Sequence, residues 1–147
     1  MTEPEGPRAD VLARLLLIQS TAGQLPNETS ILGFVCRGLE HVPGVSRAWH
    51  SDASDDAAGR PPDLRHFPIH LGDKRHGEIV VRLVDQGRFD AYAPHITNLA
   101  FMVAVMLEER RQRRLGESHE RELERRVEAR TRQLTEEVRE RQAAEAQ

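Results

Sequence analysis

Cysteine, aromatic residues and long apolar runs are all scarce in this chain of 147 residues. Its one cysteine, Cys36, cannot close an intrachain disulfide, which points to a reducing compartment. No apolar run approaches the roughly 20 residues that span a bilayer. The opening, MTEPEGPRAD, has no apolar signal core, so the sequon Asn27-Glu28-Thr29 has no secretory route to glycosylation. A cytoplasmic protein, or a cytoplasmic piece of a larger one, is expected. The six aromatics all lie between Phe34 and Phe101, and none falls in the last 40 residues. In those 40, 22 residues are charged, 11 acidic and 11 Arg, so the segment has no net charge. That balance excludes a basic nucleic-acid tail. Phosphate-binding glycine loops, G-x-S-x-G and H-E-x-x-H are missing, as is any paired nucleophile and base. No catalytic residue and no enzymatic activity are expected of this chain.

What is present reads as α+β. Residues 1–9 form a loose leader. Asp10 is placed as the cap of a helix with a broad apolar face of Val11, Leu12, Leu15, Leu16, Leu17 and Ile18, stopped at Gly23. Asn27 caps a second helix whose stripe is Ile31, Leu32, Phe34, Val35, Leu39 and Val42. A short strand follows over 45–50, with Val45, Arg47 and Trp49 on one face. After a polar loop over 51–64, Arg65 to Leu71 alternates, with Phe67, Ile69 and Leu71 on one side. Pro68 makes this an edge strand. A connection over 72–77 leads into the β-branched run from Glu78 to Val84, completing an antiparallel hairpin. A helix opens near Phe89 to Pro94 and carries Ile96, Leu99, Ala100, Val103, Met106 and Leu107 inward.

Nothing obliges that last helix to stop. Gly116 is its one weak point, and Glu→Arg pairs at i,i+4 such as Glu122/Arg126 support it. Run to the end, it would be roughly 80 Å long at 1.5 Å per residue, far longer than propensity alone sustains. A seam is therefore expected. Val127 and Leu134 fall at d positions, Thr131 and Val138 at a, with Arg141 and Glu145 at the last core sites. Leu115, His119, Leu123 and Val127 step by four, which reads as a stutter. The coiled-coil core is thus assigned to Leu115, Leu123, Val127, Thr131, Leu134 and Val138, in a parallel homodimer.

The text His66-Phe67-Pro68-Ile69-His70-Leu71-Gly72, then His76-Gly77-Glu78-Ile79-Val80-Val81-Arg82-Leu83, resembles the late strands of GAF domains. Asn98-Leu99-Ala100 through Glu108 resembles the closing GAF helix. The run Leu123-Glu124-Arg125-Arg126-Val127-Glu128-Ala129-Arg130-Thr131-Arg132-Gln133-Leu134 resembles the signalling helix of bacterial sensor proteins. The resemblance implies a GAF-like sensor and dimerisation domain over 10–110 and a signalling coiled coil over 111–147, cut before an output domain. In that family the output is a histidine kinase of a two-component system, a PAS domain or a diguanylate cyclase making cyclic di-GMP. The chain departs from the family between its first strand and the hairpin, where 14 residues replace the strands and helices that roof a ligand pocket. That shortening favours a core filled by side chains. The alternative function is therefore a dimerisation scaffold that has lost sensing.

Individual candidates are few. For a small-molecule ligand, if one is bound, they are Trp49, Phe67 and His70. Cys36, within an apolar helix, reads as a small buried hydrophobe. His66 and His70 share a strand face but stand about 13 Å apart at 3.3 Å per residue, too far for one zinc. Asp52, Asp55 and Asp56 lack the Gly and Glu of a calcium loop. No metal and no cofactor is assigned, and the expected partner is a second copy of the chain, with no nucleic acid or membrane. His119 at the stutter is a candidate pH-sensitive position.

Overall fold

The computed structural model describes residues 6–52 and 61–146. It is α+β, with a three-stranded antiparallel sheet, flanking helices and a long C-terminal helix. The elements run α1 (Ala9–Ala22), α2 (Glu28–Leu39), β1 (Val45–Ser51), β2 (Leu64–Leu71), β3 (Lys74–Leu83), α3 (Gln86–Phe89), a 3-10 turn (Asp90–Tyr92) and α4 (Ala93–Glu145). The chain divides into two compact units, Met1–Arg110 and Arg111–Gln147, and α4 contributes to both.

Local chemistry explains most boundaries. The Asn27 side chain accepts the Ser30 N–H at 2.8 Å and caps α2. α1 differs from expectation: Arg8 is its N-cap, without a side-chain cap bond. Asp10 sits inside the first turn, pairs with Arg8 at 2.8 Å and there complements the helix dipole. The helix still ends at Gly23. Its carbonyls there meet a cation, since Arg110 donates to Gly23 O at 2.5 Å and to Leu25 O at 3.1 Å. Pro94 occupies the first turn of α4, where no amide donor is missed.

Sheet order is β1-β3-β2, so β2, which carries Pro68, is an edge as predicted. Register gives each face its members. Ala48 pairs with Val81, and Ile79 with both His50 and Phe67. This face meets α1, α2, α3 and α4 in one cluster that includes Leu15, Ile31, Val35, Leu39, Phe67, Ile69, Phe89, Ile96 and Val103. Burying each such side chain contributes about 1.5–3 kcal/mol. Phe67 meets Phe89 edge-on, with ring centroids 6.1 Å apart. Gly38 lets α1 approach α2, for a Cβ there would stand 2.5 Å from Ile18 Cδ1.

Three further expectations fail, and two share a cause. An irregularity between Val45 and Arg47 turns Val45 toward Leu83 on the core face, away from Arg47 and Trp49. The 72–77 connection is a two-residue turn, with Leu71 paired to Lys74, so Lys74, His76 and Gly77 belong to β3. From Pro68↔Glu78 to His70↔Arg75, β2 advances two residues and β3 three. That extra residue is a bulge at Gly77, whose φ of +84° suits glycine. Third, the apolar face of α1 is narrower than its leucines suggest. Val11, Leu15, Ile18 and Ala22 are buried, while Leu16 and Leu17 are 68% and 65% exposed. Among the described residues no helix is long and apolar enough to cross a membrane.

Candidate functional site

Three places concentrate chemistry or unpartnered surface. The first is the sheet face turned away from the helices. Strand alternation places Arg47 and Arg82 in one cross-strand row, Trp49, Val80 and His66 in the next, and Ser51, Glu78 and Pro68 in the third. Val80 is only 2% exposed but stands outside the main core cluster. The two guanidiniums lie over the Trp49 ring, 5.8 Å (Arg47) and 5.6 Å (Arg82) from its centroid. Arg82 Nε reaches Asp63 at 3.8 Å, between half-exposed partners. Glu78, 3% exposed, accepts His66 Nδ1–H at 2.9 Å. His66 Nε2 is buried and has no hydrogen-bond partner.

The second place lies where β1 ends and β3 begins, on the helix side. Beyond the Gly77 bulge, Lys74 and His76 face α4. Lys74 Nζ donates to Glu108 Oε1 at 2.7 Å and His76 Nε2 to Glu108 Oε2 at 3.2 Å. His50 Nε2 donates to the His76 carbonyl at 2.7 Å. Beside these groups is a cleft of about 470 Å³ with Leu32 and Leu107 among its lining residues. Among the described residues, no group of three His, Cys, Asp or Glu is arranged to hold a metal.

The third place is the unit Arg111–Gln147. All its described residues are exposed, including Leu115 (54%), Leu123 (45%), Val127 (64%), Leu134 (45%) and Val138 (54%). Thr131, Leu134, Thr135 and Val138 line one shallow depression of about 310 Å³. Arg126 pairs with Glu122 at 3.2 Å along the helix.

The residues named from sequence separate accordingly. Trp49 is on the outer sheet face, and His70 is exposed on β2. Phe67 is buried against Phe89 in the core. Cys36 is buried, and burial, reinforced by Glu40 and opposed by Arg37, pushes its thiol up to about 11. Asp55 and Asp56 lie outside the described residues. Sequence reasoning missed Arg82, Glu78 and Glu108, whose partners only the register and the bulge bring near. Compared with known proteins, the chain matches no family model, no curated protein and no solved structure.

Proposed function

We propose that this chain is a regulatory module of a cytoplasmic signal-transduction protein. In this reading a GAF-like unit over residues 10–110 dimerises. A parallel coiled coil over 111–147 then carries its state to an output domain such as a histidine kinase or diguanylate cyclase. The observation behind it is the row of five apolar side chains on the tail, each 45–64% exposed. A helix otherwise covered in charge keeps such residues at heptad-like spacing when a second helix covers them. Within the unit Met1–Arg110, Leu16 and Leu17 of α1 and Phe101 of α4 are exposed as well, and offer apolar surface of their own to a second copy. The Thr131 position and the stuttered spacing upstream weaken the seam. A weak seam has two packings close in energy, which a small bias from the domain can select between.

Analytical ultracentrifugation of Leu134→Asp/Val138→Asp tests this. The expected result is monomer where the unaltered chain is a dimer. A double variant that remains dimeric removes the tail seam from the account.

A further inference from the structure

We propose that Arg47, Trp49 and Arg82 form a receptor for a small aromatic carboxylate on the outer face of the sheet. The argument begins with a placement that folding alone disfavours. Arg47 and Arg82 are directly opposite one another across β1 and β3. Like charges in that relation repel. Among the described residues Arg47 has no carboxylate partner, and Asp63 reaches Arg82 only at 3.8 Å. Two guanidiniums drawn to one ring from paired backbone positions can offer N–H donors to the oxygens of one planar anion.

Trp49 makes the pair a preformed site. With both guanidiniums over its ring, at 5.8 and 5.6 Å from the centroid, neither swings freely in water. The cost of ordering long side chains is thus met before a ligand arrives. The indole edge adds apolar surface that an aromatic body can meet edge-to-face. The centre of this face is closed, with Glu78 and Val80 only 3% and 2% exposed and Glu78 bonded to His66. The charge balance sets the ligand's valence. Asp63 already offsets part of the positive charge, and residues 1–107 carry a net charge of −3. A monoanion satisfies the fork, whereas a phosphate dianion overcompensates it. The proposal concerns the unit Met1–Arg110 and is independent of the tail, so a monomeric chain binds equally well.

Trp49 is the only tryptophan, so its fluorescence reports on the site alone. The full chain is titrated with benzoate, with benzamide as the uncharged isostere, acetate as the small carboxylate and inorganic phosphate as the alternative anion. Benzoate is expected to shift the emission saturably at millimolar concentration or below, at least tenfold more tightly than benzamide or acetate, and less tightly as salt rises. Phosphate is expected to bind no better than acetate. Arg47→Gln and Arg82→Gln should each weaken benzoate at least tenfold, Arg47→Lys should fall between, and Arg14→Gln on α1 should change nothing. Circular dichroism checks that each variant is folded, and either glutamine variant suffices if the other is not. Equal response to benzoate and benzamide overturns the proposal. So does an unchanged affinity in the glutamine variants, a response to acetate or phosphate as strong as to benzoate (an adventitious ion only), or no response at all.

Discussion

Cys36 shows how one side chain's surroundings set its chemistry. It lies on the buried side of α2 beside Val35 and Leu39, 7% exposed. Burial is the main reason its thiol titrates near 11 in place of 9.0, with Glu40 adding to the shift and Arg37 opposing it. The thiolate is the reactive form, so the folded chain should resist alkylation at pH 8 until it is unfolded. The same shift is a stability statement. Below pH 9 the thiol is protonated in both folded and unfolded chains, and the native state keeps its full advantage. Between pH 9 and about 11 the unfolded chain ionises first, so stability falls as pH rises. The loss approaches about 3 kcal/mol at 1.36 kcal/mol per unit. Urea denaturation of the unaltered chain and of Cys36→Ala, at pH 8 and at pH 10.5, measures it. The difference between the two should narrow or reverse at the higher pH. A constant difference would mean that Cys36 ionises as freely folded as unfolded.

At the scale of elements, β3 decides which side chains meet. Its bulge at Gly77 turns Lys74 and His76 toward Glu108 while leaving Glu78 toward His66. A Cβ on Gly77 would stand 2.5 Å from Ser51 O and 2.6 Å from His50 Nε2, on a backbone at φ +84°. Gly77→Ala should therefore destabilise the fold by about 2–4 kcal/mol, from left-handed strain and overpacking together. A lowered urea midpoint reads this out, and an unchanged midpoint would show that β3 relaxes into a regular strand at no cost. The bulge also marks what was legible beforehand. The Asn27 cap, the edge position of Pro68 and the inward stripe of α4 all rest on local periodicity or a single residue's donors, and each was readable. The bulge is a relation between two strands. So is the Val45/Arg47 irregularity, and no pattern within one strand announces either. Trp49 could be named as a candidate because tryptophan is rare in this chain. Its partner Arg82 could not, since 33 positions separate them until the register joins them.

For the whole molecule the proposed homodimer turns on how two copies would meet. Five apolar residues on the tail are exposed, and a homodimer can cover them with its helices running in the same or in opposite directions. The two arrangements differ in what faces Thr131. In a parallel pair each a position meets its own counterpart across the axis, near the 4.4–6.8 Å Cα separation that a disulfide bridges. In an antiparallel pair it faces a residue from elsewhere in the tail. Thr131→Cys in a Cys36→Ser background should thus oxidise readily to a covalent dimer that resists dissociation in denaturant. Ala129→Cys, at the outward f position of the preceding heptad, should not. Rapid crosslinking at 131 with little at 129 supports the parallel seam and a shared direction of output. Equal, slow crosslinking at both sites would reflect collision alone and would overturn the parallel seam.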